Sequence, residues 1–119
     1  MKRILVADDE MILRMLIVDT FEGLQYDVQE AEDGSQALEK LMETQYDLVI
    51  LDYMMPNMTG IEVLEQLPAS KKAQLEILML TAKTQERDKE RMTAVGARYF
   101  MAKPFSPLEL VALVEEILG

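Results

Sequence analysis

Leu48, Val49, Ile50 and Leu51 form an unbroken apolar run that stops at Asp52, after which the chain turns through Tyr53-Met54-Met55-Pro56. Such a run reads as a strand buried on both faces. The carboxyl end of a buried strand is where an open α/β sheet keeps its ligands. The pattern recurs along the chain. Asp8 and Asp9 follow Ile4-Leu5-Val6-Ala7, Thr81 follows a run ending at Leu80, and Lys103 follows Tyr99-Phe100-Met101-Ala102. Three carboxylates brought together repel one another and need compensation. A hard divalent cation with oxygen ligands supplies it, and Mg²⁺ suits a small carboxylate set that leaves room for water and phosphate. A threonine hydroxyl and a lysine on a long stem add donors for the equatorial oxygens of a phosphoryl group in in-line transfer. Attack by the Asp52 carboxylate would then give an aspartyl phosphate, a known form of covalent catalysis.

Composition narrows the chemistry further. The 119 residues contain no histidine and no cysteine. That excludes Ser-His-Asp triads, histidine or thiolate metal sites, disulfides, and any phosphohistidine formed on this chain. A net charge of −10 argues against nucleic acid as a ligand of this domain. Half the residues are apolar, which argues against global disorder. No apolar run approaches the ~20 residues of a membrane span. The basic start Met1-Lys2-Arg3 precedes too short an apolar stretch for a signal peptide. The expectation is a cytoplasmic protein folded as one domain over residues 1–119.

To bring the acids, threonine and lysine together, the chain needs several strands ending on one rim. Strands are expected at Lys2–Ala7, Tyr26–Ala31, Leu48–Asp52, Leu75–Leu80 (running into Thr81-Ala82) and Arg98–Ala102. Helical spacing is expected over residues 11–22, with Leu13, Leu16, Ile17, Thr20 and Phe21 facing inward and Gly23 as the stop. Asp33-Gly34 marks a turn before a helix over Ser35–Glu43, with Ala37, Leu38 and Leu41 inward. A brief helix over Ile61–Leu67 should end at Pro68, and Ala69–Gln74 reads as a polar linker. A charged helix over Thr84–Val95 should close at Gly96. Ser106 should cap a last helix, Leu108–Leu118, with Pro107 at its first position. Five strands alternating with five helices imply a doubly wound parallel sheet of flavodoxin-like order 2-1-3-4-5.

Asp8-Asp9, Asp52-Tyr53-Met54-Met55-Pro56 with Gly60, Thr81-Ala82, Gly96-Ala97 and Lys103-Pro104-Phe105 resemble, in order and spacing over the whole chain, the receiver domain of two-component response regulators, the CheY-like family. The resemblance implies that Asp52 accepts phosphate from the phosphohistidine of a histidine kinase or histidine phosphotransfer protein. It implies Mg²⁺ bound by Asp9 and Asp52, by Asp8 through water, and by the backbone carbonyl of Met54. Thr81, Lys103 and the backbone at Met54 and Ala82 would bind the phosphoryl group, and the Lys103-Pro104 peptide would be cis. Thr81 and Phe100 would form the switch: phosphate draws Thr81 inward and Phe100 fills the vacated space. Output would pass through the face made by the Thr84–Val95 helix, the fifth strand and the last helix, to a partner or effector domain the sequence does not name. The protein would catalyse only its own phosphorylation and dephosphorylation, as a monomer or weak dimer.

Beyond the resemblance, Met11, Met15 and Val18 form a second apolar stripe roughly opposite Leu13, Ile17 and Phe21. With Ile12, Pro104 and Phe105, Met11 and Met15 would border the acidic mouth and dock the phosphodonor. Met54 and Lys83 should flank the path of a hydrolytic water and lengthen the life of the acyl phosphate. The chain departs from the receivers of winged-helix transcription factors at Arg98-Tyr99, where they tend to carry paired acids, and at Ala112-Leu113, where they tend to carry an arginine. Two rivals use related parts. A haloacid-dehalogenase-type phosphohydrolase needs Asp-x-Asp after the first strand, whereas Asp9 directly follows Asp8. A flavin carrier of the same topology needs a Ser/Thr/Gly-rich phosphate loop there, which Asp8-Asp9-Glu10 would repel.

Overall fold

The computed structural model describes residues 1–119. Five strands, β1 (Lys2–Ala7), β2 (Tyr26–Ala31), β3 (Leu48–Asp52), β4 (Glu76–Thr81) and β5 (Tyr99–Ala102), form one sheet in the order 2-1-3-4-5. Every neighbouring pair is parallel, as the alternating pattern requires. Period-two alternation divides the core. Leu5, Ala7, Val49, Leu51, Ile77 and Met79 lie on one face, and Ile4, Val6, Leu48, Ile50, Leu78 and Leu80 on the other. The first face is covered by α2 (Gly34–Glu43), α3 (Gly60–Gln66) and α5 (Lys89–Ala94); the second by α1 (Met11–Phe21) and α6 (Pro107–Leu118). β3 is buried along its full length, which explains its unbroken apolar run.

Side-chain caps fix the starts of α2, α3 and α6. The Asp33 side chain accepts from the Gln36 N–H at 2.8 Å, and Ser106 Oγ from the Glu109 N–H at 3.0 Å. Thr59 and Glu62 form a reciprocal capping box on α3. Three expectations need correction. The Ala69–Gln74 linker contains a helical turn, α4 (Ala69–Lys72), which brings the helices to six. Pro68 starts that turn as well as ending α3, because its fixed φ suits the entry to a helix. Its last residue, Lys72, donates from Nζ to the carbonyls of Leu64 and Val95, at 3.1 and 3.0 Å.

The charged helix expected over Thr84–Val95 is in fact two pieces, a 3₁₀ segment over Lys83–Asp88 followed by α5. No apolar side chain occurs from Lys83 to Arg91 to anchor a full amphipathic helix. Met92 is the first to be buried. In α1, Leu16 is exposed and Thr20 only half-buried, while Arg14, Ile17 and Phe21 form the buried stripe. No helix is long and apolar enough to cross a membrane.

Candidate functional site

Strand register assembles the rim. Ala7 pairs with Leu51, so Asp8 and Asp52 follow one another across the β1–β3 border. Asp52 pairs with Leu80, one step before Thr81, and Thr81 pairs with Ala102, one step before Lys103. Parallel strands in this register place Asp8, Asp52, Thr81 and Lys103 on one edge. Ligand oxygens of Asp8, Asp9 and Asp52 all lie within 4.8 Å of one another. Asp8, Asp52 and Thr81 are buried, whereas Asp9 is exposed at the mouth. Lys103 Nζ reaches Asp8 Oδ2 at 2.9 Å and Asp52 Oδ2 at 3.2 Å. The Lys103-Pro104 peptide is cis, as expected.

The backbone around Asp52 is tightly held. Tyr53 N–H donates to Leu80 O at 3.0 Å, and Gly60 N–H donates to Tyr53 O at 2.8 Å. A Cβ on Gly60 would sit 2.8 Å from the Asp52 carbonyl oxygen, so only glycine lets α3 begin this close to β3. Asp8 is held from both sides. Its Oδ1 accepts from the Glu10 N–H at 2.8 Å, and its carbonyl accepts from Arg14 Nη1 at 2.7 Å.

Electrostatics follow from this crowding. Burial, then repulsion from Asp8, raises the Asp52 carboxyl to about 6 against the attraction of Lys103. Burial works against the Lys103 ammonium, but its hydrogen bond to Asp8 and the charges of Asp52 and Asp8 outweigh it and raise its pKa. A carboxylate that resists ionisation beside two others, with one lysine between them, is a donor set short of positive charge. Three oxygen ligands with that deficit fit a small hard dication.

Other expected residues fall around this rim. Phe100 is half-buried against the α2/α3 face, and Tyr99 packs on the opposite face. Thr81 and Phe100 line one cleft of about 130 Å³, with Glu86, Lys89, Met92 and Ala102. Lys89 Nζ lies 4.8 Å from the centre of the Phe100 ring. The Met54 side chain is 54% exposed beside the buried Asp52, and Lys83 is exposed. Met11, Ile12 and Met15 are exposed on α1 at 62%, 79% and 53%, an apolar surface next to the acids. Beside it a groove is lined by Leu13, Leu16, Pro104 and Phe105 between Glu10 and Lys103.

Three features escaped sequence reasoning. Arg14 is buried, and the signal was its place on the Ile17–Phe21 stripe, where a charge should have stood out. The Ala82 N–H, expected to face a ligand, donates to Gln85 Oε1 at 2.8 Å. Tyr53 Oη donates to Asp88 Oδ2 at 2.7 Å across 35 residues, a pairing with no local sequence signature. That bond, ahead of burial, raises the Tyr53 phenol.

Comparison with known proteins follows the same lines. The response regulator receiver domain model matches residues 4–115. The chain is 46% identical over 117 residues to the alkaline phosphatase synthesis transcriptional regulatory protein PhoP of Bacillus subtilis, covering 98% of this chain and 48% of that protein. It is 39% identical over 118 residues to the phosphate regulon transcriptional regulatory protein PhoB of Pseudomonas aeruginosa, covering 98% of this chain and 52% of that protein. The chain thus spans about half the length of the curated relatives it matches. The likeness runs to transcriptional regulators even though this chain carries Arg98-Tyr99 and Ala112-Leu113 where paired acids and an arginine are expected of such receivers. Among solved structures, the chemotaxis response regulator CheY4 of Vibrio cholerae superposes with a TM-score of 0.90 at 34% identity, covering 98% of both chains. The Francisella response regulator 1452 receiver domain gives 0.86 at 30% identity, covering 98% of this chain and 96% of that one. With its sheet order, its rim and these relatives in agreement, the chain belongs to the response regulator receiver domain family.

Proposed function

We propose that Asp52 is the phosphoacceptor of a two-component or phosphorelay switch. The observation that carries this reading is Lys103 Nζ bridging Asp8 and Asp52 at 2.9 and 3.2 Å, on the rim where Asp8, Asp9 and Asp52 converge. One Asp52 carboxylate oxygen attacks phosphorus in line. The O–P bond forms as the P–N bond of a partner's phosphohistidine breaks, and the imidazole leaves with the bonding pair and takes up a proton. Lys103 shifts its ammonium from the bare carboxylates toward the incoming phosphoryl oxygens. Thr81 donates its hydroxyl to them, and the backbone N–H groups of Met54 and Ala82 complete the cradle. Asp8, Asp9, Asp52 and the Met54 carbonyl would hold Mg²⁺, which offsets the negative charge that carboxylates and phosphoryl group bring together.

The donor docks on Met11, Ile12 and Met15 of α1 with Pro104 and Phe105, where exposed apolar side chains border the acidic rim. A histidine kinase or histidine phosphotransfer protein presenting a helix suits that surface. Output runs through Thr81 and Phe100 to the α5–β5–α6 face, and from there to a separate partner or effector domain. The chain turns over no outside substrate; its chemistry is confined to its own phosphorylation and dephosphorylation. Incubation with acetyl phosphate and Mg²⁺, read by intact mass, tests the reading. Wild type should gain one hydroxylamine-labile phosphoryl group and Asp52→Asn none; equal gain by both would overturn it.

A further inference from the structure

The 3₁₀ segment Lys83–Asp88 is strapped at both ends to residues adjoining the site. At its head, Ala82 and Gln85 clasp each other: Ala82 N–H donates to Gln85 Oε1 at 2.8 Å, and Gln85 N–H donates to Ala82 O at 2.9 Å. At its tail, Asp88 accepts from the hydroxyl of Tyr53, the residue after Asp52, at 2.7 Å. Between and beyond these straps stand Glu86 and Lys89, which line the cleft shared by Thr81 and Phe100, with Lys89 over the Phe100 ring. A neutral amide oxygen therefore occupies the Ala82 N–H, one residue after Thr81. A phosphoryl oxygen is the stronger acceptor, because it carries charge.

We infer that Gln85 is a positioning residue that competes with the phosphoryl group for the Ala82 N–H, so that phosphorylation of Asp52 unlatches the head of Lys83–Asp88 while Tyr53 keeps its tail. The inference rests on the reading of Asp52 as phosphoacceptor and deepens it. The displaced Gln85 side chain frees the head of the segment, and with it Glu86, which borders the Thr81–Phe100 cleft. Glu86 shares that cleft with Phe100 and Lys89, so the change at the head adds to the route through Thr81 and Phe100 toward α5.

Amide hydrogen exchange of residues 84–94, with and without excess acetyl phosphate and Mg²⁺, tests the latch in wild type, Gln85→Met and Tyr53→Phe. Methionine keeps the bulk of Gln85 and removes its acceptor. Loss of one such bond should raise exchange over residues 84–88 about five-fold. Phosphorylation should produce that rise in wild type. Gln85→Met should show it already without phosphate, gain nothing further on phosphorylation, and be labelled by acetyl phosphate about five-fold faster. Tyr53→Phe should loosen residues 88–91 and keep the response at the head. A wild type that gains phosphoryl mass with unchanged exchange would overturn the latch alone, as would a Gln85→Met response as large as wild type. A wild type that gains no mass would overturn the phosphoacceptor reading and the latch with it.

Discussion

Replacing Asp52 with asparagine should stabilise the metal-free protein, although it removes the nucleophile. Asp52 is 6% exposed, and its carboxyl is raised from the ordinary 3.8 to about 6 by burial and by Asp8. A carboxyl whose pKa is higher folded than unfolded favours the folded state while protonated. That advantage is complete below about 4 and is lost as pH rises through about 6. At pH 7.5 the ionised group therefore costs the fold ~3 kcal/mol, and asparagine, which stands in for the protonated form, removes that cost. At pH 4.5 both states are partly protonated and the gain should shrink to ~1 kcal/mol. Urea unfolding of wild type and Asp52→Asn in EDTA at the two pH values measures both figures. Mg²⁺ at a hundred times its dissociation constant should restore ~2.7 kcal/mol to wild type and less to the variant, narrowing the gap. A variant no more stable than wild type at pH 7.5, or a gap that ignores pH, would refute the charge-crowding account.

Other outcomes follow from single side chains. Lys103→Met removes the ammonium that bridges Asp8 and Asp52 and should slow labelling by acetyl phosphate ~100-fold, read as initial rates of mass gain. Met11→Glu with Met15→Glu, on the exposed face of α1, should slow transfer from a phosphohistidine partner about ten-fold or more. Labelling by acetyl phosphate should be unaffected in that variant, and equal loss of both rates would remove α1 as the docking surface. If Met54 and Lys83, both exposed, flank the path of a hydrolytic water as expected, Met54→Asn and Lys83→Glu should each shorten the half-life of phosphorylated protein several-fold, and unchanged half-lives would dismiss the shielding role.

Unbroken apolar runs ending in polar residues made the sheet and its rim legible, because parallel pairing turns strand ends into neighbours. β3 was the clearest case: four apolar residues and then Asp52 specify both full burial and the place of the acid. What could not be read was set by contacts distant in sequence. Tyr53–Asp88 joins residues 35 apart, and the buried Arg14 reaches Glu30 across 16. The break at Asp88 was nearer to hand, since a stretch without apolar residues from Lys83 to Arg91 gives a long helix nothing to bury. Leu16 fitted an inward spacing and yet lies on the groove beside Pro104, because Arg14 takes the inward position two residues earlier.

The most direct measurement is the location of the phosphoryl group. Borohydride reduction of protein labelled with acetyl phosphate converts an aspartyl phosphate to homoserine, which peptide mapping assigns to a residue. The account predicts homoserine at position 52 alone, in a Mg²⁺-dependent yield. Modification at Asp8 or Asp9, or labelling that survives EDTA unchanged, would contradict it.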